Sequence, residues 1–296
     1  MRYYTDSDTL FIRGAFRAAS TGISGGIRDV TTIFNHTVPE GWSHTDPGKE
    51  IELVAAAAGA GRDVFGLLTA VPIRTLCVLQ YDFITVFITA GIRTEGANGA
   101  GTINIVVYSS DGMEDSALLE TLMVATEAKT EALLSAGRGS GTPTDAVIAA
   151  CEGPVHHRYA GRITEPGKRI RDAVLRGVPE ALQRFESGTA HERPAFFIYS
   201  RFEGGHWVEW SPVGCPYYPC HFPGQSCDFC YCPFYPCADE TLGEWSPSST
   251  NGRVWNCTRC TLLHEPEVAA YLKQYPDAPL KELVRYRKGQ KKKIIP

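Results

Sequence analysis

The stretch from Thr126 to Asp145 sets a glutamate, a lysine, several hydroxyls and an aspartate around one predicted helix end. Thr126-Glu127-Ala128-Lys129 lies before that end and Gly139-Ser140-Gly141-Thr142-Pro143-Thr144-Asp145 after it. A loop rich in Gly and Thr at such a place offers backbone N–H groups, hydroxyls and a carboxylate together, which suits a polar, neutral substrate. It is not a triphosphate cradle, because Gly139-Ser140-Gly141-Thr142 lacks the Gly-Lys-Ser/Thr ending that grips phosphates. A Gly-x-Ser-x-Gly match at Gly22-Ile23-Ser24-Gly25-Gly26 is followed downstream by Asp145 and then His156 and His157. A nucleophile elbow needs a strand before its serine and a helix after it; here more glycine follows, so the match reads as chance. Adjacent histidines in an extended segment point to opposite faces, so His156 and His157 do not read as ligands of one metal.

A second set of reactive residues lies far downstream. The order is Cys215-x4-Cys220-His221-x5-Cys227-x2-Cys230-x-Cys232-x4-Cys237, then nineteen residues, then Cys257-x2-Cys260-x3-His264. Two tetrahedral zinc ions need eight ligands, and these residues supply more than that. Between Ser211 and Cys260 the aliphatic Val, Leu and Ile residues are only Val213, Leu242 and Val254. An aliphatic core cannot hold such a segment, and metal binding would supply the missing folding energy. Structural zinc is the expectation, with an iron–sulfur cluster or disulfides as alternatives. The aromatic residues crowding the segment would pack around the metals or offer a stacking surface.

The elements that must position these residues follow from composition and pattern. With 43% hydrophobic and 21% charged residues over 296 positions, the chain is an ordinary globular sequence of about two domains. Its apolar runs fall far short of the roughly 18 residues of a membrane span, and the first residues carry no signal-like apolar segment. A cytoplasmic protein is expected, with its clustered cysteines reduced and metal-bound rather than disulfide-linked. The acidic excess behind the net charge of −4 lies in the first 190 residues, while the end from Lys281 to Lys293 is strongly basic. That tail reads as a solvated terminus; nucleic acid is not the expected partner.

Asp46-Pro47 opens a predicted helix over 47–60. Short apolar runs at 64–69, 73–78, 83–90 and 103–108 predict strands. A long helix over 114–136, a buried strand over 146–151 and a helix over 167–185 follow. On the long helix, at about 100° per residue, Glu120, Glu127 and Glu131 share one sector and should face water, while Thr126, Lys129 and Thr130 turn inward or along a cleft. The mixed order predicts a layered α/β or α+β domain over 1–190. A small Cys-rich, zinc-stabilised domain over 195–264 and a helical basic tail over 265–296 complete the expected organisation.

Residues 10 to about 187 resemble the adenosylcobinamide amidohydrolase family of corrinoid salvage. The resemblance rests on ordered motifs: Gly25-Gly26 leading to Asn35-His36-Thr37-Val38-Pro39, Leu68-Thr69-Ala70-Val71, Thr89-Ala90-Gly91, Gly101-Thr102-Ile103-Asn104-Ile105, Ala125-Thr126-Glu127-Ala128-Lys129, Gly141-Thr142-Pro143-Thr144-Asp145 and Tyr159-Ala160-Gly161. After Thr89-Ala90-Gly91 the family continues with an Asn-Ala pair, where this chain has Ile92-Arg93-Thr94-Glu95 and a displaced Asn98. The Cys-rich segment is similar to a small cysteine-rich domain found alone or fused in microbial proteins.

The resemblance implies hydrolysis of the amide joining aminopropanol to the corrin ring, with a corrinoid as substrate. No organic cofactor is implied, and cobalt enters only within the substrate. In that chemistry His36 or Asp145 would serve as general base on water or on the hydroxyl of Thr142 or Thr144, and Lys129 and the backbone of 139–142 would stabilise the oxyanion. Asn35 and Asn104 would orient the substrate amide, with Thr102, Thr126, Glu127 and Gly141 completing the binding surface. The other reading is a corrinoid-binding or regulatory protein without turnover. Homo-oligomerisation stays open.

Overall fold

The computed structural model describes residues 1–43, 45–92, 101–189, 191, 193–201, 204–211, 215, 217–247 and 253–294. Asn98 and residues 93–95, where the chain departs from the family motif after Ile92, lie outside them. By compactness the chain divides between Trp210 and Ser211. That is later than the expected break at 190–195, because residues 195–200 and 206–210 form two further strands of the first unit's sheet.

The first unit runs β1 (Arg2–Asp6), β2 (Thr9–Ser20), β3 (Gly26–Thr37), α1 (Pro47–Ala57), β4 (Val64–Thr69), β5 (Cys77–Tyr81), β6 (Ile84–Ile92), β7 (Gly101–Ser109) and β8 (Gly112–Met113). It continues through α2 (Asp115–Ser135), β9 (Ala146–Cys151), β10 (Val155–His157), α3 (Glu165–Glu186), β11 (Ala195–Ser200) and β12 (His206–Trp210). The expected strand over 73–78 is a short 3₁₀ turn at Ile73–Thr75 followed by β5. One mixed sheet has the order β12-β11-β5-β6-β7-β9-β2-β3-β4, with β1 beside β2. It makes this an α/β unit. β7 and β9 are parallel and joined through α2, while β6 and β2 run antiparallel to them on either side.

The sheet curls. Ile12, Ile33, Phe65, Val78, Phe87, Val106 and Ile148, from β2, β3, β4, β5, β6, β7 and β9, meet in one buried cluster. Such a meeting requires the long strands to bend, and the register of β2 against β3 shifts between Arg13 and Phe16. Gly14 sits at that shift, where a Cβ would lie 2.6 Å from the Phe16 ring. The outer face is covered by α2 and α3 through Leu118, Ala125, Ala128, Ile170, Val174 and their neighbours. α3 comes so close that a Cβ on Gly177 would meet Leu79 at 2.5 Å. α1 covers β3 and β4 through Ile51, Val54 and Ala55. Its start follows the expected chemistry, Asp46 accepting from Gly48 N–H at 3.1 Å with Pro47 in the first turn.

The Gly-x-Ser-x-Gly match forms the turn between β2 and β3. Ser24 takes φ +53° and Gly26 φ +111°, with no helix behind the serine, so it is no nucleophile elbow.

The second unit holds β13 (Glu244–Pro247), β14 (Arg253–Asn256), a 3₁₀ turn at Leu262–His264, α4 (Pro266–Gln274) and α5 (Leu280–Ile294). Its apolar core is Leu262, Leu263, Val268, Leu272, Ala278 and Leu283, with Phe229, Phe234 and Leu242 packed against it. The helices expected to be a separate tail therefore belong to the Cys-rich unit and supply its aliphatic interior. Among the described residues no helix is long and apolar enough to cross a membrane.

Candidate active site and cysteine-rich centre

The start of β7, the start of β9 and the C-terminal half of α2 converge on Asp145. Lys129 reaches it from α2, with Nζ 2.5 Å from Oδ2, and the two side chains are only 7% and 8% exposed. The carboxylate takes three more donors: Thr142 N–H to Oδ2 at 3.0 Å, Ile103 N–H to Oδ1 at 2.9 Å and Thr142 Oγ1–H to Oδ1 at 2.6 Å. Four donors on one carboxylate compensate its burial. Gly141 closes over the pair at φ +145°, and a Cβ there would stand 2.6 Å from Asp145 Oδ2 and 2.8 Å from Lys129 Nζ. Thr130 steadies the same loop by donating to Ser140 O at 3.2 Å. Beside it, Thr144 Oγ1 donates to Gly101 O at 2.9 Å and lies 2.9 Å from Thr102 Oγ1.

A polar ladder crosses the curl on the inner face of the sheet. Asn104 Nδ2 donates to Asn35 Oδ1 at 2.9 Å and to Leu68 O at 3.1 Å. Asn35 Nδ2 in turn donates to Thr89 Oγ1 at 2.9 Å. All three side chains are buried. These acceptors fix which end of the Asn104 amide is nitrogen, and they leave its Oδ1 buried without a partner. Thr89 was part of a recognised motif but had been given no role; the ladder shows what it holds.

Not every expected residue joins this group. His36 follows Asn35 on β3 and so faces the other side of the strand. Its Nδ1 is 2.7 Å from Thr9 Oγ1 and its Nε2 4.0 Å from Glu50 Oε1 of α1. Burial lowers its pKa, partly opposed by Glu50 and Asp8. Thr126, expected to face inward, is exposed, and its hydroxyl donates to Leu122 O one turn back at 2.8 Å. Glu127 faces water as expected, 3.8 Å from Arg162. Glu120, expected in the same solvent sector, instead accepts from the N–H groups of Ala160 and Gly161, and Glu131 accepts from Arg171 at 2.6 Å.

In the second unit, Tyr218 N–H donates to Cys215 O and Tyr235 N–H to Cys232 O, while Cys230 N–H turns back to Cys227 O and Cys260 N–H to Cys257 O. Gln225, which no spacing had singled out, is 6% exposed and donates from Nε2 to Cys220 Sγ at 3.2 Å and Cys227 Sγ at 3.4 Å. Burial raises the Cys230 thiol, and the Cys220, Cys227 and Cys215 thiols raise it further. Burial pushes Cys232 up to about 12; the Phe234 N–H opposes this, and the Cys260, Cys237 and Cys257 thiols add to it. His264 has Nδ1 2.9 Å from Ser226 O and its ring 4.2 Å from that of His221. Among the described residues no three His, Cys, Asp or Glu side chains converge as metal ligands.

The fold and site define an α/β unit with a buried lysine–aspartate–threonine set, followed by a cysteine-rich unit. The adenosylcobinamide amidohydrolase family matches residues 3–190, and the cysteine-rich small domain family matches residues 206–287. An adenosylcobinamide amidohydrolase of Methanosarcina mazei is 41% identical over 196 residues, covering 62% of this chain and 98% of that protein. One of Halobacterium salinarum is 30% identical over 184 residues, covering 56% and 80%. A 61-residue stretch is 48% identical to a probable cobalt-factor III C(17)-methyltransferase of Methanothermobacter thermautotrophicus, covering 20% of this chain and 16% of that protein. This chain belongs to the adenosylcobinamide amidohydrolase family.

Proposed function

We propose that the chain hydrolyses the amide joining aminopropanol to the corrin ring of adenosylcobinamide, releasing adenosylcobyric acid in cobalamin salvage. The observation that carries the site assignment is the Thr142 hydroxyl, 2.6 Å from a carboxylate that Lys129 and two backbone N–H groups hold in place. Thr142 Oγ attacks the amide carbon while its proton passes to Asp145 along the existing hydrogen bond. The former carbonyl oxygen takes the negative charge, which the remaining ammonium protons of Lys129 and the N–H groups of 139–141 offset. Collapse expels the amine with the proton from Asp145 and leaves an ester on Thr142. Water, deprotonated by the same carboxylate, cleaves that ester to the acid and restores the hydroxyl.

His36 supports β3 against α1 in this reading and is not the base. The test is incubation of the chain with adenosylcobinamide and mass detection of both products. Thr142→Ala and Asp145→Asn should each lower turnover on the order of 10²–10⁴-fold, the usual span for acid–base groups. Near-normal rates in both would sink the role assignment. Binding of intact substrate with no product would make the protein a corrinoid-binding one instead.

The cysteine-rich unit binds structural zinc through thiolates in a reducing, cytoplasmic setting. The donor chemistry fits: its sulfurs are soft ligands, and a buried amide is aimed at two of them. Protonated thiols have no reason to converge on a common point, since deprotonation and metal binding occur together. Iron with strong visible absorption in the purified protein would overturn the choice of zinc.

A further inference from the structure

We propose that the cysteine-rich unit is a duplicated metal-binding element with two sequential four-cysteine sites. Cys215, Cys220, Cys227 and Cys230 form the first, and Cys232, Cys237, Cys257 and Cys260 the second, with His221 and His264 outside both. This rests on the reading that the unit binds metal, and adds which residues hold which ion.

The duplication is written in the sequence. Cys215-Pro216-Tyr217-Tyr218-Pro219-Cys220 recurs as Cys232-Pro233-Phe234-Tyr235-Pro236-Cys237, and each copy is followed by a Cys-x-x-Cys pair, at 227–230 and 257–260. The backbone repeats with it. Residue four of each Cys-Pro arm closes a turn on the first cysteine, Tyr218 to Cys215 at 3.2 Å and Tyr235 to Cys232 at 3.1 Å. Each Cys-x-x-Cys pair closes the same kind of turn, at 3.3 Å in the first copy and 2.9 Å in the second. Such turns set two sulfurs on one side of a tight loop, the usual half of a tetrahedral site. The copies differ by an insertion in the second, which carries the β13–β14 hairpin with Trp245 opposite Trp255.

Two arms and two pairs could combine sequentially or crosswise, and the contacts decide between these. The Gln225 amide nitrogen bonds the sulfurs of Cys220 and Cys227, one from the first arm and one from the first pair. A crossed arrangement would send those two sulfurs to different ions. Gln225 then serves as an outer-shell donor to thiolates, with its own oxygen accepting from His221 N–H at 2.8 Å and Phe222 N–H at 3.2 Å.

The histidines have other partners. Ser226 N–H donates to His264 O at 2.8 Å, and His264 Nδ1 returns to Ser226 O at 2.9 Å, so this residue clamps the first copy to the 3₁₀ turn. His221 lies against its ring.

The test uses the full chain, with metal counted by elemental analysis and native mass spectrometry and the coordination shell read by X-ray absorption. Wild type should hold two zinc ions with a sulfur-only shell at about 2.3 Å. Cys220→Ser with Cys230→Ser should retain one ion, and Cys220→Ser with Cys260→Ser should disturb both. His221→Gln with His264→Gln should retain two. No metal in wild type would overturn the underlying metal reading. Two ions with imidazole in the shell, or loss of an ion from the histidine variant, would overturn the partition while leaving metal binding intact. So would a Cys220–Cys260 variant that loses only one ion. The absorption measurement on wild type decides even where a variant fails to fold.

Discussion

Asp145→Asn removes a charge without changing shape, and its cost can be worked from the contacts. Oδ2 receives Lys129 Nζ and Thr142 N–H, and Oδ1 receives Thr142 Oγ1–H and Ile103 N–H. An amide nitrogen at Oδ2 would face an ammonium and an N–H; at Oδ1 it would face one N–H and a hydroxyl that can rotate to accept. The amide should therefore keep its oxygen toward Lys129, leaving Ile103 N–H without an acceptor, at about 1–3 kcal/mol. The larger loss is the charge. Lys129 is 7% exposed, and breaking one partner from a buried pair costs about 3–5 kcal/mol. The terms overlap, so about 3–5 kcal/mol is the expected total. For a unit of this size that lowers the melting temperature by roughly 2–4 °C per kcal/mol. Urea unfolding followed by far-ultraviolet circular dichroism reports the large sheet and should give that loss, together with the fall in turnover. Lys129→Met with Asp145→Leu should recover only the part of the loss that comes from the unpaired charge, because the N–H groups of Ile103 and Thr142 still lack an acceptor, and should remain inactive. A single variant within about 1 kcal/mol of wild type would refute the pair as a buried, coupled unit.

Three further outcomes are expected. Gly141→Ala should keep the fold and lose activity about tenfold or more, as its Cβ must displace Asp145 or Lys129 and a positive φ is strained by about 1–3 kcal/mol; unchanged kinetics would contradict the closeness of that contact. Asn104→Leu removes the donor that Asn35 Oδ1 and Leu68 O share, and should destabilise the first unit by about 1–3 kcal/mol in urea titration; a stabilised variant would show that the ladder is dispensable. Because burial lowers the His36 pKa, the unfolded chain binds a proton there that the folded chain does not. Stability should thus rise with pH across the window just below the ordinary 6.5 and be lost on acidification through it, and His36→Gln should flatten that part of the profile measured by thermal melts.

The helices α2 and α3 and the strands β7 and β9 were legible because each is an uninterrupted apolar or periodic run. β2 and β3 were not, since β2 carries apolar residues on both faces, Phe11 and Ala19 as well as Leu10 and Ile12, and a register shift interrupts its pairing with β3. The direction of Thr126 was misjudged for a physical reason. α2 packs on the sheet through Ala117, Ala125, Ala128 and Ala132, while Leu119, Met123 and Leu134 are 48%, 61% and 60% exposed. Leu118 and Leu133 are buried beside those alanines, so large hydrophobes lie on both sides of α2 and do not mark its buried face. The Lys129–Asp145–Thr142 set was readable from its motifs. The Asn104–Asn35–Thr89 ladder needed the curl of the sheet, which no local pattern encodes. In the second unit the aliphatic core lies beyond the cysteines, beginning at Leu262 and Leu263 just after Cys260.

Membership of the amidohydrolase family makes this chain an enzyme that cleaves a corrinoid amide. Incubating the purified full chain with adenosylcobinamide and resolving the mixture by mass should give adenosylcobyric acid and aminopropanol in equal amounts, both formed on the order of 10²–10⁴-fold more slowly with Thr142→Ala. Recovery of intact adenosylcobinamide, bound but uncleaved, would contradict it.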